Sequence, residues 1–316
     1  MSKTILSGVK PTGRPHIGNY FGAMRQFVEL QNEHQGGYFF IADYHALNLI
    51  QNAEEMKKLT LDVIIDFLAI GLDPKKSIIF KQSDISEHTE LCWIFDAITT
   101  LPYLKRAHAY KDAVAKGGEE NINVGTFNYP MLMAADILLY DTDLVPVGQD
   151  QKQHIEFARD TAEKFNRIFG ETFKLPEAYI LKDVETVPGT DGQKMSKSYN
   201  NTIPLFATDE EIEKAVMSIV TDSSGERPAN VYAIHKLIKS ESELEKIYEE
   251  NKGKYKVLKD ILIEDLKNFI KPMREKREEV AKDLDFVNKV LEEGKNKARS
   301  VAGLKMEQVR KAIGVK

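Results

Sequence analysis

The chain has 316 residues, of which 42% are hydrophobic and 29% are charged, a composition typical of a soluble globular protein with two domains. No apolar run is long enough to span a membrane, and the N-terminus leads straight into a short apolar segment instead of a signal peptide. The single cysteine, Cys92, excludes internal disulfides and cysteine-rich metal sites. We therefore expect a cytoplasmic protein without zinc or an iron–sulfur cluster.

The net charge of −5 argues against a generally basic nucleic-acid-binding protein, but the charge is uneven. Residues 251–316 contain 18 Lys and Arg against 11 Asp and Glu, so the rest of the chain is strongly acidic. An acidic body with a basic C-terminal section suits a protein that meets RNA over a limited face. A solvated helical surface is the alternative for this section taken alone.

The first informative stretch is a turn rich in glycine and proline, residues 8–20, between a predicted strand at 4–6 and a predicted helix at 21–30. In open α/β sheets, ligands bind beyond the carboxyl ends of the strands, and helix N-termini attract anions. His16 can donate to a phosphate, and Gly18 lets phosphates approach the backbone. The turn matches neither the dinucleotide-binding glycine pattern nor the P-loop. The alternative is a plain turn with a solvated histidine.

The next segments predict a parallel sheet. Apolar runs at 38–42 and 77–81 predict buried strands, and the segment at 53–71 between them predicts a helix. This alternation of strands and helices predicts right-handed crossovers. A further helix is predicted at 87–100, followed by a polar helix and loop at 105–116. His45, just after the second strand, either lines a ligand site or caps the next helix. Lys111 is a candidate phosphate contact or simply a surface lysine.

Residues 129–140 predict an apolar helix with Pro130 in its first turn. Asp136 lies inside this apolar sequence, and a buried carboxylate needs a hydrogen-bond donor. Tyr129, Met133 and Asp136 share one helix face. This face suits a pocket for an aromatic amino acid that carries a donor, whereas the alternative is a structural partner for Asp136 elsewhere in the protein.

A strand at 144–147 follows, and then a polar turn. Gly148 allows close approach, Asp150 can accept from ribose hydroxyls, and Gln151 can reach an amino or carboxylate group. His154, on the following helix, is better explained as structural.

A second motif, residues 194–198, reads Lys-Met-Ser-Lys-Ser after a turn-rich lead-in at 188–192. Two lysines and two hydroxyls on a loop suit a polyphosphate whose charge grows during reaction, although a solvated loop is the alternative. From residue 203 onward the pattern is helical, with Pro272 either beginning a new helix or kinking a long one. Helices are predicted at 210–220, 231–239, 242–251, 255–284, 286–301 and 306–315.

Together these segments resemble the bacterial tryptophanyl-tRNA synthetase family of class I aminoacyl-tRNA synthetases. The resemblance covers nearly the whole chain and is carried by residues 7–13, 16–20, 133–138, 145–151, 194–198 and 220–223. It implies a Rossmann-type parallel-sheet catalytic domain at 1–188, to which about 300–316 returns. It also implies a helical anticodon-binding domain at 189–299 that includes the lysine loop, a homodimer, and Mg2+-ATP as co-substrate.

The resemblance also implies roles for particular residues. The catalytic set is His16, Asn19, Lys111, Lys194 and Lys197. The ATP-binding set is Lys10, Pro11, Thr12, Gly18, Asn19, Gly148, Gln149, Asp150, Val187, Lys194, Met195, Ser196, Lys197 and Ser198. The tryptophan-binding set is Leu6, Gly8, His45, Tyr129, Met133, Asp136, Val145, Val147 and Gln151. Mg2+ is expected to bind through the ATP phosphates, with no protein metal site.

The activity implied is ligation of L-tryptophan to tRNA(Trp) through tryptophanyl-adenylate, with release of pyrophosphate and AMP. Tyrosyl-tRNA synthetase is the near alternative; tyrosine enzymes place a tyrosine in the first strand where this chain has Leu6, and an apolar Leu6 suits an indole. Lys10 departs from the glutamine of many relatives. The more distant alternatives are a nucleotidylyltransferase and a catalytically silent RNA-binding relative.

Overall fold

The structure is a computed structural model that describes residues 3–34, 37–148, 151–180, 187–221 and 227–316. The predictions for Gln149, Asp150, Asp222 and Ser223 lie outside these residues. Within them, no helix is long and apolar enough to cross a membrane. The chain forms two compact units: Met1–Thr12, Phe27–Leu181 and Leu284–Lys316 make the first, and Gly13–Gln26 and Lys182–Asp283 make the second.

The first unit is built on parallel strands. β1 (Leu6–Val9), β2 (Tyr38–Ile41) and β3 (Ile78–Lys81) pair in that order, with Leu6 opposite Tyr38 and Tyr38 opposite Ile78. β4 (Leu144–Val147) pairs in parallel with β5 (Glu177–Ile180). A parallel bridge between Ile5 and Leu144 sets β4 beside β1, so the strands follow the order 5-4-1-2-3.

The predicted α/β class with parallel sheets and long C-terminal helices is confirmed. β5 was not predicted, because its sequence is short and mixes polar with apolar residues. The segment after β1 holds α1 (Ile17–Asn19), a π-helical turn (Tyr20–Met24) and α2 (Arg25–Glu33). The helices that lie wholly in the first unit are α3 (Asp43–Ala46), α4 (Ala53–Ala69), α5 (Glu87–Ile98), α6 (Leu101–Leu104), α7 (His108–Gly117), α8 (Val124–Leu138), α9 (Lys152–Phe169) and α14 (Leu284–Ala312).

Two predicted helix boundaries were wrong. α8 begins at Val124, where the Asn123 side chain caps it by accepting from the Thr126 N–H, so Pro130 lies in the helix interior and not in the first turn. The C-terminal helices predicted at 286–301 and 306–315 are one helix, α14. α14 packs on β3 at Gly294, where a Cβ atom would lie 1.8 Å from the Ile79 carbonyl oxygen. Only glycine permits this approach.

The second unit is mainly helical: α10 (Asp209–Met217), α11 (Ala229–His235), α12 (Glu241–Glu250) and α13 (Tyr255–Lys282). α13 continues through Pro272, so no new helix begins there. Arg274 ties α13 to the start of α10, because it donates to the Ala207 carbonyl at 2.6 Å and pairs with Asp209 at 2.8 Å. Lys259 donates to carbonyls at the other end of α10, where cations are stabilising.

Candidate active site

His16, in the second unit, caps the N-terminus of α1. Its Nδ1 accepts from the Asn19 N–H at 3.3 Å, and the Asn19 Oδ1 accepts from the His16 N–H at 3.0 Å. Burial and the Lys197 charge lower the pKa of His16 to about 4, so the ring is neutral near pH 7. Because Nδ1 is an acceptor, the ring proton lies on Nε2. His16 therefore offers an Nε2–H donor suited to a phosphate oxygen.

The lysine loop meets the His16 turn within the same unit. The Lys197 ammonium donates to the Gly13 carbonyl at 2.8 Å. On either side of His16, the Ile17 N–H donates to the Ile203 carbonyl at 2.9 Å, and the Pro15 carbonyl accepts from the Leu205 N–H at 3.0 Å. The structure thus brings together two motifs that lie about 180 residues apart in the chain.

Gly18 has a packing role that its sequence context did not predict. A Cβ atom there would lie 2.8 Å from the His16 Nδ1 and 3.3 Å from the Met195 Cβ. Met195 is buried, and its N–H donates to the Val187 carbonyl at 2.9 Å. The absence of a side chain at Gly18 therefore leaves room for the histidine ring and the loop methionine. An adenine contact at Val187 stays a prediction.

Asn201 organises the lysine loop and was missed from the sequence. Its side chain is buried; Oδ1 accepts from the Ser196 N–H at 2.7 Å, and Nδ2 donates to the Asp191 carboxylate at 2.7 Å and to the Lys194 carbonyl at 3.2 Å. One amide thus holds the backbone on both sides of Met195. The sequence shows two adjacent asparagines, and nothing in it marks the second as the buried one.

In the first unit, Asp136 is only 1% exposed and is surrounded by donors. Its Oδ1 accepts from the Gln82 Nε2 at 2.7 Å and from the His88 Nδ1 at 2.6 Å, and its Oδ2 lies 2.9 Å from the His45 Nε2. Burial alone would raise the pKa of Asp136, but hydrogen bonds from His45 and His88 outweigh it and lower the pKa below its usual value. Asp136 is therefore an ionised acceptor. The alternative predicted from the sequence, that Asp136 has structural hydrogen-bond partners within the protein, is therefore confirmed.

Two of the predicted tryptophan-binding residues, His45 and Tyr129, lie together beside this carboxylate, with Lys10 of the predicted ATP-binding set next to them. His45 lies within α3 and bonds Asp136, whereas the next predicted helix, α4, is capped by Asn52 and not by His45. The ring of Tyr129 lies edge-on to His45 at 6.2 Å, and the Lys10 ammonium lies 5.6 Å from the Tyr129 ring centre. Among the described residues, the His45 Nδ1 is buried and has no hydrogen-bond partner.

The other predicted residues occupy varied positions. Leu6 and Val145 are buried in the core, and Met133 and Val147 pack against it. A Cβ atom on Gly8 would lie 2.5 Å from the Phe40 ring. Lys111 lies exposed on α7. For the remainder, Pro11 is buried, Gly148 is half-buried, and Thr12, Gln151, Lys194, Ser196 and Ser198 are half-buried or exposed.

Comparison with known proteins identifies the family. The family described as tRNA synthetases class I (W and Y) matches residues 2–292. The chain belongs to this family. It is 50% identical to the tryptophan–tRNA ligase of Fusobacterium nucleatum, over 99% of this chain and 98% of that one. It is 46% identical to the tryptophan–tRNA ligase of Rhodopirellula baltica, with 99% of both chains covered.

Solved structures show the same likeness. The tryptophanyl-tRNA synthetase of Campylobacter jejuni complexed with ADP and tryptophan has a TM-score of 0.91 and 43% identity, covering 98% of this chain and 99% of that one. The tyrosyl-tRNA synthetase of Archaeoglobus fulgidus complexed with L-tyrosine has a TM-score of 0.67 and 22% identity, covering 88% of this chain and 90% of that one. The latter likeness shows a shared fold alone. The relatives described above at 43% identity or more are tryptophan enzymes, so the tryptophanyl-tRNA synthetase family predicted from the sequence motifs is confirmed.

Proposed function

We propose that this chain ligates L-tryptophan to tRNA(Trp) at the expense of ATP. A tryptophan carboxylate oxygen attacks the α-phosphorus of ATP. The bond between this phosphorus and the oxygen that bridges it to the β-phosphate breaks, and pyrophosphate leaves. A terminal ribose hydroxyl of the tRNA then attacks the acyl carbon of tryptophanyl-adenylate, and AMP leaves. The observation that carries the proposal is the full-length similarity to tryptophan–tRNA ligases, at 50% and 46% identity to two of them.

The second unit supplies phosphate-binding groups. The His16 Nε2–H donates to a phosphate oxygen as a neutral ligand, and Asn19 holds the ring that presents it. Lys194 and Lys197 neutralise the charge that develops on departing pyrophosphate, with Lys111 as a further candidate. No side chain acts as a nucleophile, so catalysis consists of positioning and charge stabilisation.

Mg2+ is proposed to bind through the ATP phosphates. The residues of the His16 turn and lysine loop are neutral or cationic donors, which suit phosphate oxygens and not a metal ion. Within the described residues, no group of three or more His, Cys, Asp and Glu side chains could hold a metal. The ion would supply charge neutralisation on the phosphates when it is bound with ATP.

The first unit supplies the proposed amino-acid pocket. Each carboxylate oxygen accepts about two hydrogen bonds. The Asp136 Oδ1 already has two donors and Oδ2 has one, which leaves one acceptor position on Oδ2 for the indole N–H. Tyr129, Met133 and Leu6 provide apolar surface around it. An indole has one N–H donor, which matches one acceptor position.

A homodimer is also proposed, through an apolar patch on the first unit formed by Leu49, Trp93 and Val124. These side chains are 72%, 74% and 79% exposed. The Asn128 amide on α8 donates to Asp96 on α5 at 2.8 Å, and a Cβ on Gly125 would lie 2.3 Å from Asn48. The elements that carry the three side chains therefore adjoin. Exposed apolar patches of this kind mark interaction sites.

Sedimentation velocity tests the homodimer. Trp93→Asp should give a monomer because it places a charge in the proposed interface. Leu304→Asp is the control, since Leu304 is also exposed, at 63%, but lies on α14, which carries none of the three patch side chains. A dimer that survives Trp93→Asp and Leu49→Asp together would contradict the proposed interface, and a monomeric unsubstituted chain would contradict the homodimer.

ATP–pyrophosphate exchange tests the function, with tryptophan and tyrosine added separately, followed by aminoacylation of tRNA(Trp). We expect exchange with tryptophan alone and transfer to the tRNA, both dependent on Mg2+. Exchange with tyrosine would overturn the amino-acid assignment. Exchange without transfer of tryptophan to the tRNA would exclude the proposed tryptophan–tRNA ligase activity. No exchange on folded protein would indicate a catalytically silent RNA-binding relative. The basic C-terminal section and the helical second unit support tRNA as the partner, with residues 189–299 proposed as the anticodon-binding part.

A further inference from the structure

A buried chain of hydrogen bonds extends from Asp136 through two residues that are not in the predicted tryptophan-binding set. The His88 Nδ1 lies 2.6 Å from the Asp136 Oδ1, and the His88 Nε2 lies 2.8 Å from the Tyr140 hydroxyl. His88 is 0% exposed and Tyr140 is 3% exposed. These two residues contribute nothing to the phosphate-binding groups described above. A buried polar chain of this kind is costly unless every member is satisfied.

The two ends of this chain hold the His88 ring between them. Asp136 is ionised, so it can only accept, and the His88 Nδ1 must carry a proton. On the other side of the ring, the His88 Nε2 is hydrogen-bonded to the Tyr140 hydroxyl. Burial and the Asp136 charge raise the pKa of Tyr140 well above its ordinary value, so the hydroxyl keeps its proton. The His88 Nδ1–H therefore points toward Asp136, and the Tyr140 hydroxyl holds the opposite side of the ring.

Gln82 has an equally determined orientation. Its Oε1 accepts from the His45 N–H at 3.4 Å, which turns the amide nitrogen toward the Asp136 Oδ1 at 2.7 Å. The Gln82 side chain is fully buried, as is His88. Gln82 and His88 thus occupy both acceptor positions of Oδ1, which directs the remaining acceptor position to Oδ2.

We propose that Tyr140 and His88 are positioning residues that determine amino-acid specificity, because they hold Asp136 as a fixed acceptor for the indole N–H. This inference rests on the proposed indole contact of Asp136. Without the Tyr140 hydroxyl, the His88 ring loses the hydrogen bond that holds its far side and can rotate away from the Asp136 Oδ1. Asp136 would then lose a donor and its fixed orientation, and the acceptor on Oδ2 would no longer be aligned with the indole.

The test compares tryptophan with 3-(3-benzothienyl)alanine, in which sulfur replaces the indole N–H in a ring of nearly the same size. The measured quantity is the ratio of kcat/KM values for the two amino acids in ATP–pyrophosphate exchange. We expect Tyr140→Phe to lower this ratio about fivefold, mainly through a higher KM for tryptophan with an unchanged KM for ATP. Tyr38→Phe is the matched control, because the Tyr38 ring stacks on Tyr140 at 4.7 Å.

Two substitutions of His88 extend the test. His88→Asn keeps an N–H donor near the Nδ1 position, whereas His88→Leu removes it. The ratio should fall in the order of the unsubstituted chain, His88→Asn and His88→Leu, with a loss of roughly tenfold in the last. A purely structural role would lower kcat/KM for both amino acids equally and leave the ratio unchanged.

The outcomes separate this inference from the proposed function. If the unsubstituted chain uses both amino acids equally well, Asp136 does not read the indole N–H, and both the contact and this inference are wrong. If Asp136→Asn lowers the ratio but Tyr140→Phe and His88→Leu do not, the contact stands and only this inference is overturned. If His88→Leu does not fold, the Tyr140→Phe and Tyr38→Phe pair decides the question alone.

Discussion

The hydrogen bonds of Asn201 make Asn201→Asp a sharp perturbation of the lysine loop. The substitution keeps an oxygen that accepts from the Ser196 N–H but replaces the amide nitrogen with a second oxygen. That oxygen faces the Asp191 carboxylate, which lies 2.7 Å from the present nitrogen, and the Lys194 carbonyl, which lies 3.2 Å from it. Neither group can donate near neutral pH, so two favourable contacts become repulsive.

The expected magnitude follows from these contacts. A buried polar group left without its partner costs about 1–3 kcal/mol, and a charge beside a like charge adds to this cost. Asn201 is only 2% exposed, so water does not compensate. The loop relieves the repulsion by leaving the arrangement in which it holds Lys194 and Lys197 in place. Because about 1.4 kcal/mol corresponds to tenfold, we expect adenylate formation to slow by roughly 10- to 100-fold.

The assay is ATP–pyrophosphate exchange with tryptophan, and the control is Asn200→Asp. Asn200 is exposed and has a φ of 52°, a conformation that aspartate also tolerates. The control therefore makes the same charge change one residue away. If Asn201 acts through the lysines, Asn201→Asp should slow exchange much less in a Lys197→Ala background. The reasoning is refuted if Asn201→Asp matches Asn200→Asp, or if its effect and that of Lys197→Ala are fully additive.

Three further predictions concern the His16 turn and the lysine loop. Lys197→Ala should slow exchange on the order of 10²-fold because it removes charge stabilisation. The control is Lys214→Ala, since Lys214 is an exposed lysine on α10, and equal exchange rates for the two variants would contradict the role assigned to Lys197. Gly18→Ala should destabilise folding by about 1–3 kcal/mol in urea titrations, since its Cβ would lie 2.8 Å from the His16 ring. Gly303→Ala in α14 meets nothing within 4 Å and should be neutral or stabilising; similar losses for both glycines would refute the packing argument. The pKa of His16 is lowered from 6.5 to about 4, so between these values the unfolded chain binds more protons and the stability from His16 is lost as pH falls. As the pH falls from 6.5 to about 4, the unfolding free energy of the unsubstituted chain should therefore decrease more than that of His16→Asn, whose amide can still cap α1. Parallel pH profiles of the two unfolding free energies would contradict the lowered pKa of His16.

Much of the fold was predictable because it depends on local patterns. β2 to β4 are apolar runs between turn residues, and each was found. The predicted bounds of β1, 4–6, were wrong: β1 is Leu6–Val9, and its Ser7 and Gly8 look like the start of the turn. β5 was missed because it carries Glu177 and a mixed sequence. α14 was divided in two because Gly303 looks like a break, yet a helix that is already packed on β3 continues through one glycine at modest cost. α8 was started too late because Pro130 favours a first turn, whereas Asn123 caps the helix further upstream.

The candidate site likewise has parts that the sequence predicts and parts that it does not. The His16 turn and the lysine loop are short stretches whose residue types suggest phosphate binding, so the sequence predicted them. Their mutual packing through Gly18 and Met195 was not predictable, because 177 positions separate them and only the folded unit brings them together. Asn201 was missed for a different reason. Its role depends on burial, and an asparagine beside another asparagine gives no sign of which one is inside.

Asp136 shows why two opposed interpretations of one residue can both hold. The sequence predicted that a carboxylate in an apolar helix needs a donor, and it left open whether the donor is protein or ligand. The donors come from residues 48 to 91 positions away, so no local pattern reveals them. Three protein donors stabilise the buried charge. A carboxylate accepts about four hydrogen bonds, so the same three donors leave one direction for a ligand N–H. The structural partners are therefore what gives the proposed contact its direction, and removing them should weaken discrimination more than it weakens the fold.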